Sequence, residues 1–583
     1  MTNHSQVPEA LRAGRRALEE LAGVTILRDW TRGVQGTWYI EIAIKPEPLP
    51  AGPILQVTRW FVVAEDRYPN GSLEIFPSKA GGITTTFRHQ LHNSDGDHDC
   101  PWRRGNMCVT EPIAQARRRG QGLEPLTADA RLRWRVERAH EWLEAASNDS
   151  LARPGDPYEV PPVSASGARW IVFNEDRSTF TLWGRCNARF GTMVLKLIPQ
   201  NPTIRVVTRF ADNAGKGIFE PSWGSDIAGT SGQEIGVWIR IPNEPVVEQW
   251  HVPDNWEDLS QLLDSRGIRL GEVFASAYPY LRNGTAVVLA IGFPIPETVA
   301  GALTQMHWFF IQLPIIHPQK ERKLKHKLRD SLFWERNRTI TPTGAIDWQK
   351  SENWSPDQLG SRGQLSASLR KQRILLLGAG ALGASVAEML VRGGTTTMTI
   401  LDDDIVRAGN LVRHTLSLSD IGLGKATRLA RHLNSISPHA RVEGVDSGFT
   451  FDNEHIRSIV DKHTLILDCT ADDGVANDLS QFTWTAGTLV VSFALSFEAQ
   501  RLYVYAQRDC FDSSKMFSSI RPHIEEDLVQ HPPEKFPREG IGCWHPVFPA
   551  RIEQVLQAAC RAISFLSESA DSVMDSGHFE VLD

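Results

Sequence analysis

The chain has no CxxC pair, and its seven cysteines, at 100, 108, 186, 469, 510, 543 and 560, are odd in number and widely spaced. A zinc knuckle and a disulfide framework are therefore excluded as organising devices, which leaves individual thiol reactivity. No apolar run approaches the ~20 residues of a membrane span; the longest are Ala286 to Phe293 and Trp308 to Ile316. The first residues, Met1 to Arg16, lack the apolar stretch of a secretory signal, so a cytoplasmic protein is expected. A basic surplus is missing too: 62 Lys and Arg stand against 69 Asp and Glu, net charge −7, which removes wholesale binding to nucleic acid or anionic lipid. Internal repeats and long low-complexity tracts are absent. What is present is an ordinary globular composition, 41% hydrophobic and 22% charged, in 583 residues. That length suits about three to five domains.

Pro/Gly-rich seams divide the sequence. The first segment, 1–162, opens with an amphipathic helix over Glu9 to Leu21, whose Leu11, Ala17, Leu18 and Leu21 form one stripe. Strand patterns follow at Trp38 to Ile44 and Trp60 to Ala64, and a second helix at Ala128 to Ala146. The tract LARPGDPYEVPP then closes the unit. Residues 163–350 read as a β-rich module, with runs such as Phe180 to Trp183, Thr203 to Phe210, Val237 to Ile241 and Val287 to Phe293. Its one dense basic run, 320–330, reads as a solvated helical face. From 351 to 583 strands and helices alternate as in a parallel, doubly wound sheet: strand Arg373 to Leu377, helix Ala381 to Arg392, then strands at Met398 to Leu401, Thr464 to Leu467 and Thr488 to Phe493. The expected fold class is α/β and multidomain.

The chemistry concentrates in the last segment. Strand RILLL runs into GAGALG, placing Gly378, Gly380 and Gly383 in a GxGxxG between strand and helix. Glycines there allow the tight turn, the backbone's approach to phosphate and close helix packing, while the helix N-terminus favours negative charge. Asp402 follows at the end of the second strand, 19 residues after Gly383, where a carboxylate can accept from ribose hydroxyls. Asn410, Arg413 and Lys425 come next. Two cations there suit a triphosphate and a pyrophosphate leaving group; hydride transfer requires no such pair.

GAGALG, the acidic block DDD, NLVRH, the lysine of GLGK and LDCTADD occur in the order of, and together resemble, the ThiF-type adenylation domain of ubiquitin-activating and molybdopterin/thiamine-biosynthesis adenylyltransferases. The resemblance spans Ile374 to Leu479 and implies ATP and Mg²⁺ as cofactors: Asp402 on ribose, Asn410, Arg413 and Lys425 on the phosphates, and an aspartate near 472 on the metal. Two departures stand out. His414 replaces the family's Gln, and Ala471 falls where the acid is expected, so Asp472 or Asp473 must supply the carboxylate. The alternative for Asp472 is a helix cap. Arg362, upstream of the first strand, matches an arginine that in this superfamily reaches into the partner subunit's site, which implies a homodimer through the adenylation domain; a surface arginine is the other reading.

An acyl adenylate captured by a thiolate gives a thioester, which keeps the acyl group activated. Cys543 in GIGCWHPVFPA, flanked by Gly and Pro, resembles the catalytic-cysteine region of bacterial activating enzymes; Cys469 and Cys560 read as core. In the first segment, the helix, the β-meander, YPNGSLEIFP, the pair His92-Asn93 and the NMCV of Cys108 resemble a ubiquitin-conjugating domain. This implies Cys108 as a second catalytic thiol and Asn93 as the amide that stabilises the oxyanion. The proline of HPN is missing, Asn106 competes with Asn93, and Cys100 with Cys108. Asp95, Asp97 and Asp99 in the intervening loop are candidates for orienting an incoming ammonium group.

The three segments in this order resemble the conjugating/activating fusion proteins of bacterial CBASS antiphage operons. That resemblance implies attachment of the C-terminus of a cGAS/DncV-like nucleotidyltransferase (CD-NTase) to a lysine of an acceptor protein, with no nucleic-acid or membrane partner. Two other readings compete: a sulfur-carrier adenylyltransferase, and a non-catalytic nucleotide sensor with a docking domain.

Overall fold

A computed structural model describes residues 6–33, 36–45, 53–109, 123–165, 167, 169–198, 200–230, 232–282, 286–314, 340–532, 536, 538–539, 545–570 and 577–583. The basic run at 320–330 and Cys543 lie outside them. The chain divides into two compact units, one of Met1–Glu220 with Gln233–Asn353, the other of Pro221–Gly232 with Trp354–Asp583.

In the first unit, helix α1 (Glu9–Glu19) precedes an antiparallel meander of β1 (Val24–Arg32), β2 (Thr37–Ile44), β3 (Thr58–Glu65) and β4 (Leu73–Pro77), paired in that order. Helix α2 (Ala128–Ser147) presents Leu132, Val136, Ala139, Trp142 and Leu143 to the same core as Trp38, Ile40, Ile42, Trp60, Val62 and Ile75. The spacing of these five puts them on one helix face, so α2 buries a stripe wide enough to cover the sheet. Leu11 and Leu18 of α1 join that core, and Gly14 lets α1 close on α2: a Cβ there would meet Leu132 Cδ2 at 2.8 Å.

The remainder of the unit is a single sheet ordered β5-β12-β11-β10-β9-β6-β7-β8, in which β5 (Trp170–Phe173) pairs with both β12 (Trp348–Asn353) and β7 (Asn201–Asp212), closing the ring. The other strands are β6 (Phe190–Ile198), β8 (Gly217–Phe219), β9 (Glu234–Arg240), β10 (Ala286–Pro296) and β11 (Leu303–Gln312). Alternate residues feed two cores. Val288, Ala290, Met306, Trp308 and Phe310 lie in one with Trp183, Phe210 and Trp238; Leu289, Ile291, Phe293, Phe309 and Ile311 lie in the other, with Leu259, Leu263 and Val273 from the helices Trp256–Ser265 and Leu270–Arg282. Burial on both faces explains why these strands read as near-continuous apolar runs.

The second unit is a doubly wound sheet ordered β15-β14-β13-β16-β17-β18, with strand His578–Leu582 at its edge. β13 (Ile374–Leu377), β14 (Thr397–Leu401), β15 (Arg441–Val445), β16 (Leu465–Asp468) and β17 (Leu489–Leu495) are parallel, and β18 (Leu502–Arg508) is antiparallel to β17. All four residues of β13 are buried, as a central strand requires. The order reverses at β13, between β14 and β16, and a crevice opens there beyond the strands' carboxyl ends. Among the described residues no helix is long and apolar enough to cross a membrane.

Candidate nucleotide and thiol sites

The Gly-rich loop leaves β13 through Gly378 at φ +86°, a left-handed conformation that disfavours a side chain. A Cβ on Gly383 would meet the Gly378 carbonyl oxygen at 2.1 Å, so only glycine lets helix Ala381–Arg392 start this close to the strand. Gly380 caps that helix with open space where a Cβ would stand. Asp402 Oδ2 accepts from the Ala379 N–H at 2.6 Å and Oδ1 from the Asp404 N–H at 2.8 Å, so this carboxylate ties the loop to the end of β14. Each oxygen retains a second lone pair for a hydroxyl.

A cavity of about 270 Å³ opens beside the loop, lined by Gly380, Asn410, Arg413, His414, Lys425 and Cys469, with Ala471 also on its wall. Asn410, which also lines the cavity, accepts at Oδ1 from the Arg407 N–H at 2.8 Å. Lys425 is buried at the start of helix Lys425–Ile436, and its Nζ donates to Asp404 Oδ2 at 2.6 Å. Burial raises the Asp404 carboxyl's pKa, but the hydrogen bond and charge of Lys425 outweigh it and hold the group below the usual carboxylate range. Arg413 differs. Its guanidinium donates to the carbonyls of Phe548 at 2.5 Å and Ala550 at 3.3 Å, and burial alone lowers its pKa. A half-buried cation bonded to neutral carbonyls on the wall of a cavity is electrostatically suited to a polyanion.

His414 accounts for its own departure from the family pattern. Its Nδ1 accepts from the Leu416 N–H at 3.1 Å, so its Nε2 carries the proton and donates to the Ala379 carbonyl at 2.7 Å, bracing the Gly-rich loop. Burial lowers the imidazole's pKa and keeps this neutral tautomer. The sequence reading missed Asp404 as the partner of Lys425, though the acidic block contains it. It also missed the two carbonyls that grip Arg413, because a backbone acceptor leaves no trace in residue type.

Asp472 caps helix Asp473–Leu479, its Oδ1 accepting from the N–H groups of Gly474 at 2.7 Å and Val475 at 3.1 Å. With Asp473 it lines a neighbouring cavity of about 440 Å³, which shares Ala471 and Leu495 with the first. Its Oδ2 is the oxygen with which Asp472 would hold a cation in that neighbouring cavity. Asp468, fully buried, accepts from Thr470 and Ser492, and burial raises its carboxyl pKa. Arg362 is exposed in the turn after helix Pro356–Gly360 and lines neither cavity.

The thiols separate by environment. Cys108 is exposed. Cys469 lines the nucleotide cavity and its thiol pKa is raised well above the ordinary value, chiefly by burial. Cys560, expected in the core, lies on the exposed face of helix Ile552–Ser569, because Ala558, Ala559 and Ala562 take the inward positions.

The Asn93 side chain is fully hydrogen-bonded in this structure. It is completely buried, both Nδ2 hydrogens are donated at 3.0 Å to the carbonyls of Ile83 and Thr85, and Oδ1 accepts from Arg103 Nε at 2.8 Å. No donor remains. Asn106, two residues before Cys108, is partly exposed, and its backbone carbonyl accepts from the Leu91 N–H. Of the acidic loop, Asp95 pairs with Arg103 and Asp97 with Arg104, leaving Asp99 fully exposed beside His98.

Residues 149–354 match the family of the Cap2 central linker domain, and residues 352–539 match the ThiF family. Over 578 residues the chain is 28% identical to the ATP-dependent ubiquitin transferase-like protein Cap2 of Enterobacter hormaechei subsp. hoffmannii (strain UCI 50), covering 96% of this chain and 95% of that protein. It is 30% identical over 143 residues to the molybdopterin-synthase adenylyltransferase of Escherichia coli (strain K12), covering 24% of this chain and 57% of that one. The crystal structure of E. coli MccB with AMPCPP and MccA aligns at a TM-score of 0.26 and 14% identity, over 53% of this chain and 73% of that one. A match to the Cap2 central linker domain is therefore followed by a match to the ThiF family, and over nearly its whole length the chain is similar to an ATP-dependent ubiquitin transferase-like protein.

Proposed function

We propose that this enzyme uses ATP to activate the C-terminal carboxylate of a CD-NTase, carries it as a thioester on Cys543 and then Cys108, and transfers it to a lysine of an acceptor protein. The observation that carries the reading is Arg413, a half-buried cation that donates to the carbonyls of Phe548 and Ala550 on the wall of the cavity beside the Gly-rich loop. In the adenylation step a carboxylate oxygen attacks the α-phosphorus of ATP and pyrophosphate leaves. Arg413, Lys425 and Asn410 hold the phosphates and offset the charge that develops on the leaving group, while Asp402 orients the ribose. Mg²⁺, held by Asp472 or Asp473, supplies further neutralisation of the polyphosphate when bound.

The Cys543 thiolate attacks the adenylate's carbonyl carbon and AMP leaves. The Cys108 thiolate attacks the resulting thioester and releases Cys543. A neutral lysine amine then attacks the Cys108 thioester, the thiolate leaves and an amide forms. The oxyanion of this last step is assigned to the Asn106 amide, with Asn93, whose amide hydrogens are donated to Ile83 and Thr85 in this structure, as the competing residue. The division of labour follows segments 1–162, 163–350 and 351–583, with Arg362 serving the second copy of a homodimer. The test is pyrophosphate exchange with the CD-NTase as acyl donor, followed by non-reducing electrophoresis of the adducts. Absence of exchange, or a CD-NTase lacking its C-terminal residue that conjugates as well as the intact one, defeats the reading.

A further inference from the structure

The pair His92-Asn93 follows the family's order, and both side chains are engaged in hydrogen bonds within the protein. We infer that the middle module positions the Cys108 thiol through a hydrogen-bonded relay of Asn93, Thr86, His251, Asp254 and His92. The inference rests on reading Cys108 as the conjugating thiol.

Neutral imidazoles and an ionised Asp254 satisfy every contact of the relay, and among the described residues the buried His92 Nδ1 has no hydrogen-bond partner. The Asn93 N–H donates to Thr86 Oγ1 at 2.9 Å, and in the arrangement with a neutral His251 the hydroxyl donates onward to His251 Nδ1 at 2.8 Å. With Nδ1 accepting, His251 Nε2 carries the proton and donates to Asp254 Oδ2 at 3.0 Å. His92 Nε2 donates to the other oxygen, Oδ1, at 2.7 Å, and the two imidazoles stack with centroids 4.6 Å apart. Burial acts to raise the Asp254 carboxyl's pKa, but the two imidazole donors prevail and hold it well below the usual carboxylate range.

Two histidines and a carboxylate are also a metal-ligand set. A cation on both Nε2 atoms would move the His251 proton to Nδ1, give Thr86 Oγ1 two N–H donors and leave the hydroxyl hydrogen without its acceptor. Thr86 is completely buried, so that loss is costly.

Both ends of the relay are anchored. On the module side, the Asp254 carbonyl accepts from the Ile346 N–H at 2.9 Å, the Pro253 carbonyl accepts from the Trp348 indole at 3.0 Å, and Val252 is completely buried. On the thiol side, segment 86–93 pairs with the cysteine segment: the Leu91 N–H donates to the Asn106 carbonyl at 3.2 Å, and the Cys108 N–H donates to the His89 carbonyl at 2.8 Å. Between them, the Trp250 N–H donates to the Thr86 carbonyl at 2.9 Å and the Arg88 guanidinium lies 3.5 Å from the Trp250 ring centre. The residues that set the Cys108 backbone thus hang from the middle module at Thr86, Arg88 and His92. Misplacing a reacting group by 1 Å costs on the order of 10²-fold in rate.

The test uses the full chain with ATP and CD-NTase. Thr86→Val and Asp254→Ala should slow transfer through Cys108 by about 10- to 100-fold, with pyrophosphate exchange, the Cys543 adduct and the half-saturating CD-NTase concentration unchanged. Thr86→Ser, which restores the hydroxyl, should return transfer to near the parent rate. Parent-rate transfer in Thr86→Val and Asp254→Ala, or Thr86→Ser as slow as Thr86→Val, overturns the relay. If Thr86→Val does not fold, His251→Gln, which supplies an N–H near the Nε2 position, must outperform His251→Ala by the same margin. Discharge of preloaded Cys108 should be indifferent to EDTA; a slowing reversed by zinc overturns the hydrogen-bonded relay. Conjugation that persists in Cys108→Ala defeats the reading of the thiol itself, whereas an inactive Cys108→Ala beside an unaffected Thr86→Val defeats only the relay.

Discussion

Arg413 donates to the carbonyl of Phe548, five residues beyond Cys543 in the chain. The cation assigned to the phosphates is therefore also the group that ties down the segment following the assigned thiol. Lys425 is tied instead to a carboxylate, Asp404, and the two cations approach the cavity from different elements.

Arg413→Ala and Lys425→Ala should each lower pyrophosphate exchange by about 10²- to 10³-fold, the usual loss for one charge-stabilising group. The double variant should fall further. Near-parent exchange in the double variant removes both residues from the phosphate site.

Asp472 can be tested without confusing its two roles. Asparagine caps a helix about as well as aspartate, whereas alanine costs about 1 kcal/mol. Asp472→Asn should thus keep the parent unfolding temperature yet require more Mg²⁺ for half-maximal exchange. An unchanged Mg²⁺ requirement leaves the cap at Gly474 and Val475 as its whole role and moves the metal to Asp473.

Much of this architecture was legible because it is local. GAGALG after an apolar strand requires a glycine at positive φ, and Gly378 has one. Helix Ala381–Arg392 and the stripe of α2 lie where periodicity puts them. The illegible part is tertiary. His414 reads as a departure from the family pattern until its ring is seen bonding the Ala379 carbonyl, and nothing in the sequence shows that the Asn93 amide donates to the carbonyls of Ile83 and Thr85. Residue type and order carry no information on where hydrogens are already committed.

The two thiols should act in order. Cys543→Ala should retain pyrophosphate exchange and form no thioester, because adenylation precedes its attack. Cys108→Ala should trap a reducible adduct on Cys543 and yield no amide product. Product from Cys108→Ala leaves the N-terminal domain a docking element.

Glu175 gives the middle module a defined pH dependence. It is completely buried, with the indoles of Trp183 and Trp308 donating to Oε1 at 2.9 Å, and burial raises its pKa from 4.5 to about 7. Between those values the folded state keeps a proton that the unfolded chain releases, so stability falls as pH rises from about 4.5 to 7 and levels off above. Glu175→Gln keeps the acceptor for both indoles and removes the ionisation. It should stabilise the module at pH 8 by at most about 3 kcal/mol and have little effect near pH 4.5. Denaturant unfolding of the full chain, followed through tryptophan fluorescence at the two pH values, reads the difference; equal shifts at both refute it.

Asn106 and Asn93 should separate by the kind of damage each substitution does. Asn93→Ala strips the buried Ile83 carbonyl, the part-buried Thr85 carbonyl and Arg103 Nε of their partner. Each buried group left unpaired costs about 1–3 kcal/mol, so the N-terminal domain should unfold several degrees earlier, with loading and discharge of Cys108 failing together. Asn106→Ala removes a partly exposed amide two residues from the thiol, so folding and thioester loading should persist while amide formation slows by about 10²-fold and the Cys108 thioester accumulates. Discharge to lysine, measured on preloaded enzyme, reads this step alone. If Asn106→Ala discharges at the parent rate while Asn93→Ala folds normally and stalls with thioester in place, Asn93 must break its bonds to Ile83 and Thr85 during the reaction, and the oxyanion role returns to it.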